Sequence, residues 1–186
     1  MLLKTLLEFI KHPTYEIDEN RDLKYRVSVF LKLLGISLAL SIVLATLIGS
    51  LQSFFGLDFG EHAIEALFEN YSVLIIAVAA VILAPLLEEL IFRAPLAIFK
   101  NSRYFNLFFY IFTLAFGFYH LLNFEITNTV LLFSPLLVAP QISVGALLGF
   151  IRVRFGLLWA MALHACYNLV LVGPVLLLKL LDLIPE

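Results

Sequence analysis

The sequence predicts an all-α fold: a polytopic membrane helix bundle of about five transmembrane helices with an interfacial helix at its N-terminus. Three observations carry this expectation. Hydrophobic residues make up 62% of the 186-residue chain, against roughly 45–50% apolar in soluble domains. Mean hydropathy is +1.03 and only 14% of residues are charged, which is more apolar surface than a soluble domain can hide. The apolar residues also fall into five runs, each reaching the roughly 20 residues a spanning helix needs.

Residues 1–11 have helical periodicity. Lys4, Glu8 and Lys11 share one face, with Leu2, Leu3, Leu6, Phe9 and Ile10 largely on the other, the pattern of a helix lying in a membrane surface. The apolar run carries Lys4 and Glu8 and lacks a small-residue cleavage site, so it does not read as a cleaved leader. The mixed-charge stretch that follows reads as a solvated connection. We therefore divide the chain into an arm, 1–26, and a membrane domain, 27–186. The apolar segments within the latter run over 27–52, 72–99, 105–124, 129–150 and 157–182. The second is long enough to project or to bend near Pro85, and Pro135 and Pro140 should distort the fourth.

Charge orders these segments. Lys4, Lys11, Arg21, Lys24 and Arg26 precede the first; Arg93, Lys100 and Arg103 follow the second; Arg152 and Arg154 follow the fourth. The connections after the first and third hold no Lys or Arg, and the first of these carries Asp58, Glu61, Glu65 and Glu69. The pattern predicts a cytoplasmic N-terminus and an external C-terminus, with Lys179 near the far end snorkelling. A net charge of −2 and basic clusters confined to helix flanks give no sign of a nucleic-acid partner. The single cysteine, Cys166, excludes an internal disulfide and argues against a thiolate metal site.

Charge inside hydrocarbon is costly and marks function by default. Here it falls into three clusters: EELIFR at 88–93, FGFYH at 116–120 and HACYN at 164–168. Glu89 and Arg93 are i,i+4 and share a face, so they can pair; Glu88 points about 100° away. One carboxylate is thus anchored and its neighbour is left for other work. His164 and Asn168 are also i,i+4, as are Phe116 and His120, where the phenylalanine can set the imidazole's orientation. Counted at about 1.5 Å per residue, Glu88 and His164 lie about 10 Å in, Asn168 about 16 Å and His120 about 20 Å. If these groups converge, Glu88 and His120 can activate a water as a general base. His164 and Asn168 can donate to an oxyanion. The bland alternatives differ by site. A buried Glu89–Arg93 pair is commonly a helix clamp. Gly145 and Gly149 are packing positions, and Glu125, Asn123 and Asn128 read as solvated capping. His12 and His62 fall in connections and are given no role.

Glu88-Glu89-x-x-x-Arg93, Phe116-x-x-x-His120 and His164-x-x-x-Asn168, in this order on apolar helices, resemble the motif set of the CPBP intramembrane protease family, also called ABI or type II CAAX prenyl endopeptidases. The likeness spans about residues 72–170. It implies a helical membrane hydrolase, an endopeptidase of CAAX-box protein processing, whose eukaryotic members remove the C-terminal tripeptide of prenylated proteins. Carried over by position, Glu88 and His120 activate water, His164 and Asn168 stabilise the oxyanion, and Glu89, Arg93 and Phe116 support them. The family is often named as metalloendopeptidases. Zinc on Glu88, His120 and His164 is the competing arrangement, while the residues themselves favour chemistry that requires no cofactor, since zinc would occupy the group assigned to water. The short chain suggests a prokaryotic plasma-membrane protein whose partners are the bilayer and a membrane protein or peptide substrate. Two other classes compete with proteolysis. One is a non-catalytic membrane partner, such as a bacteriocin-immunity protein on the same scaffold. The other is a proton-coupled transporter, against which the lack of an inverted repeat counts.

Overall fold

A computed structural model describes residues 2–60, 70–181 and 183. His62 and the acidic Glu61, Glu65 and Glu69 lie outside the described residues. The chain is an all-helical polytopic bundle with five helices long and apolar enough to cross a membrane: Leu23–Phe55, Val73–Ala97, Phe105–Asn123, Asn128–Phe155 and Leu157–Leu180. It is an integral membrane protein, and the five spans fall on the five segments expected.

In chain order the α-helices are α1 (Leu2–Lys11), α2 (Leu23–Phe55), α3 (Val73–Val78), α4 (Ala84–Phe92), α5 (Phe105–Tyr119), α6 (Asn128–Leu137), α7 (Ala139–Phe155) and α8 (Leu157–Leu180). Two spans are interrupted, each at proline. Between α3 and α4 the backbone widens into a π turn, Ala79–Leu83. Pro85 has no N–H to return to the carbonyl four residues back, and the Ala84 N–H bonds Ala79 O, five residues back. Between α6 and α7 the break falls at Val138, just ahead of Pro140 in the first turn of α7. Thr127, rather than Asn128, caps α6 by accepting from the Val130 N–H at 3.2 Å.

The centre of the bundle is α7, buried almost continuously from Val144 to Val153 and packed against α1, α2, α5 and α8. Its small residues make this feasible. A Cβ on Gly145 would lie 3.0 Å from the Phe116 ring and 3.1 Å from Arg93 Nη2, and one on Gly149 would lie 2.5 Å from Phe109 Cε2. The packing role expected of the two glycines holds.

The N-terminal helix does more than lie in an interface. Leu6 and Phe9 are buried, Phe9 meeting Phe109 and Phe150 edge-on at 5.0 and 5.2 Å. Tyr110 Oη donates toward the Ile10 and Lys11 carbonyls at 2.8 and 3.0 Å, covering the helix end. The connection that follows is not simply solvated, as its composition suggests, but strapped to the bundle. Asp18 N donates to Arg154 O at 3.1 Å, Tyr25 Oη to Asp18 Oδ2 at 2.8 Å, and Tyr15 meets Phe105 edge-on at 5.5 Å.

Two arginines counted among the flanking charges are inside. Arg93 is 2% exposed and Arg152 9%. Arg93 Nη1 lies 3.3 Å from Glu89 Oε1, an ion pair with both side chains buried. Its Nη2 donates to Gly145 O at 3.4 Å and its guanidinium stacks 3.7 Å over Phe116. Arg152 Nε donates to Arg93 O at 3.2 Å and Nη1 to Tyr15 Oη at 3.4 Å. The clamp role expected of Glu89–Arg93 is what the packing displays, and the clamp also reaches α5 and α7.

Two stability outcomes follow, both read as thermal melting in detergent. Gly149→Ala, which presses on a Phe109 that is 1% exposed, should cost about 1–3 kcal/mol; Gly35→Ala, with nothing within 4 Å of the new Cβ, should cost nothing. Arg93→Met leaves Glu89 buried without its counter-charge and should cost about 3–5 kcal/mol. The double variant Glu89→Leu/Arg93→Met should recover most of that loss.

Candidate active site

Adjacent positions on α4 send Glu88 and Glu89 in different directions, as the helical period requires. Glu89 turns into the clamp with Arg93. Glu88 turns into a cavity of about 650 Å³ whose walls include His120, His164 and Asn168. The four residues named from three separate motifs therefore share one space, and three spans supply them. The depth count sets His120 apart from the others. Its premise of a common starting plane fails, because the chain passes through a 3-10 turn, Ala94–Ala97, and further turns between α4 and α5.

Each imidazole is oriented through its Nδ1. His120 Nδ1 donates to Phe116 O at 2.8 Å, one helical turn back. His164 Nδ1 donates to Glu89 Oε1 at 3.0 Å. Carbonyl and carboxylate oxygens only accept, so both protons sit on Nδ1 and both Nε2 atoms face inward. Glu88 Oε2 lies 3.9 Å from His120 Nε2 and 3.7 Å from His164 Nε2. These separations exceed a direct hydrogen bond and suit three groups gathered about one small molecule. Phe116 contributes its ring as well as its carbonyl, edge-on to His120 at 4.8 Å and to His164 at 5.6 Å.

Asn168 has a structural duty within the site. Its Nδ2 donates to Ala80 O at 2.8 Å. In the π turn that carbonyl's backbone partner would be the nitrogen of Pro85, which has no hydrogen. Asn168 supplies the missing donor, and an amide has a second N–H that can serve the cavity.

Zinc can be tested against the same donors. Two Nε2 atoms and a carboxylate are suitable ligand types. Tetrahedral bonds of about 2.0–2.1 Å hold ligand atoms about 3.3 Å apart, closer than the 3.7 and 3.9 Å seen here. No group of three His, Cys, Asp or Glu among the described residues is arranged to hold an ion. As placed, Glu88 Oε2 stands farther from each imidazole nitrogen than two zinc ligands would stand from one another.

Sequence reasoning missed three features. Gln141 lines the cavity with its Oε1 buried and without a hydrogen-bond partner; its signal was a lone amide inside an apolar run. Asn123, assigned to solvated capping, lines the cavity as well, whereas Glu125 is exposed. Ser41 and Tyr167 share a hydrogen bond of 2.7 Å that ties α2 to α8 beside Asn168. Cys166 is a free, half-buried thiol.

A family model described as Rce1-like, type II CAAX prenyl endopeptidase, matches residues 70–170. No curated protein and no solved structure matches the chain. The matched stretch begins just before α3, ends just past Asn168 and covers more than half of the sequence, so the chain belongs to the Rce1-like family of type II CAAX prenyl endopeptidases.

Proposed function

We propose that the chain is an intramembrane endopeptidase that hydrolyses a peptide bond with a water activated by Glu88 and His120, without a metal. One observation carries this reading: Glu88 Oε2 lies within 3.7–3.9 Å of two inward-facing imidazole nitrogens, in a cavity inside an apolar bundle. Glu88, as a carboxylate, takes a proton from the water while His120 accepts its second hydrogen and aims it. The hydroxide oxygen bonds the scissile carbonyl carbon. The oxyanion that forms accepts from the second N–H of Asn168 and from His164 Nε2, which donates only when the ring carries both protons. Glu88 then returns its proton to the departing nitrogen. The C–N bond breaks, leaving a carboxylic acid on one fragment and an amine on the other, and the acid's proton then passes to the amine. Glu89, Arg93 and Phe116 act by holding these groups in place.

The family match supports a peptidase acting on a membrane-embedded peptide. The distribution of Lys and Arg supports a cytoplasmic N-terminus.

Peptidomics of membranes carrying wild type, Glu88→Gln or His120→Ala at matched levels tests the chemistry. Fragments present with wild type should fall about 100-fold or more in both variants, while the melting temperature of Glu88→Gln stays near the parent's. If fragments match in all three samples and a cellular phenotype persists, the protein is a non-catalytic partner or immunity factor. Dialysis against a chelator should leave peptidase activity unchanged; loss that zinc restores would replace the metal-free mechanism.

A further inference from the structure

Beyond the four proposed reacting groups, the cavity wall carries a buried amide, Gln141. Gln141 sits in the first turn of α7, beside Pro140 and one helical turn before Gly145, whose carbonyl holds Arg93. It lines the same cavity as Glu88, and its Oε1 is buried with no hydrogen-bond partner among the described residues. Helix capping does not explain it. A glutamine at this position can reach back to the N–H of the cap residue, but the N–H of Val138 already donates to Ser134 O at 3.1 Å. A buried amide oxygen left unpaired opposes folding, and native structures rarely keep one without a use.

Peptide chemistry supplies the partner. A chain entering this cavity brings backbone N–H groups out of water, and each needs an acceptor there. The reacting groups of the cavity already have work. Glu88 faces both imidazoles, one N–H of Asn168 serves Ala80 O, and His164 Nδ1 serves Glu89. An amide side chain presents an acceptor and two donors, a match for a peptide unit, and rotation about its last bond brings either edge to bear.

We propose that Gln141 binds the substrate backbone, its Oε1 accepting from one peptide N–H of the chain held for cleavage. The proposal rests on the peptidase reading above and adds to it the residue that fixes the register of the bound peptide.

The test uses the full chain purified in detergent and a fluorescein-labelled, farnesylated CAAX peptide as probe. In a Glu88→Gln background, which holds the probe uncut, adding Gln141→Met should raise Kd about 10-fold. In a series of probes N-methylated at single peptide positions, methylation at one position should weaken binding about 10-fold when Gln141 is present. The same methylation should have no effect on binding to the Gln141→Met variant. With no peptide present, Gln141→Met should melt no lower than its parent, since it removes an unpartnered amide at nearly constant volume. The proposal falls if Kd is unchanged, if every N-methyl position behaves alike in both proteins, if Gln141→Met melts lower, or if the parent does not bind the probe. Cleavage of the probe by wild type but not by Glu88→Gln is read separately. Cleavage that survives Glu88→Gln overturns the Glu88 mechanism and leaves the assignment of Gln141 standing on the binding data.

Discussion

The guanidinium of Arg93, sealed inside an apolar bundle, is the constraint on which the rest of the molecule depends. A buried cation is tolerable only with a counter-charge and polar partners close to it. Glu89 supplies the counter-charge at 3.3 Å, the Gly145 carbonyl takes one edge at 3.4 Å, and the Phe116 ring lies 3.7 Å beneath the plane. These partners come from α4, α7 and α5, so one side chain fixes the relation of three helices. Lysine could not replace it, because its point charge lacks the flat face that stacks and the fork that reaches two acceptors. The same demand explains Gly145, where a Cβ would crowd both Phe116 and Arg93.

That clamp is also the frame of the site. Glu89, paired with Arg93, receives the Nδ1 proton of His164 at 3.0 Å; Phe116, under Arg93, receives that of His120 through its carbonyl at 2.8 Å. Both imidazoles are thus turned by groups that Arg93 holds. Adjacent glutamates serve this well, since neighbours on a helix differ by about 100° and cannot both enter the same pair. One carboxylate stiffens the frame while the other faces the cavity, with no flexible loop between them.

Much of this is legible in the sequence, and the limits are physical. Apolar run length locates all five spans, and i,i+4 spacing gives the Glu89–Arg93 pair and the Phe116–His120 contact, because both are properties of a single helix. Relations between helices are harder. Depth counting separates His120 from Glu88 because helices that begin at different levels share no origin. Arg152 reads as part of a connection because a charge near the end of an apolar run looks solvated; it is buried because Arg93 O and Tyr15 Oη both meet a donor there. Pro85 announces a distortion, but the π turn and the use of Asn168 to satisfy Ala80 O depend on α8 passing alongside. Gln141 carries no charge and so stands outside the ionisable clusters, though in hydrocarbon an unpartnered amide is also a costly group.

The family likeness covers residues 70–170, yet the part outside it is not an appendage. Phe9 of α1 is buried against α5 and α7, and Ser41 of α2 holds Tyr167, the neighbour of Asn168, at 2.7 Å. Tyr15 joins the arm to Arg152 and so to the backbone of Arg93. A bundle in lipid gains no hydrophobic drive from packing helix on helix, so tight side-chain fit and polar bonds must hold it. The N-terminal segments supply both kinds of contact to the helices that carry the site. What the site needs from them is an aromatic packed on Phe109 and Phe150, one hydroxyl that reaches Arg152 and a second that reaches Tyr167.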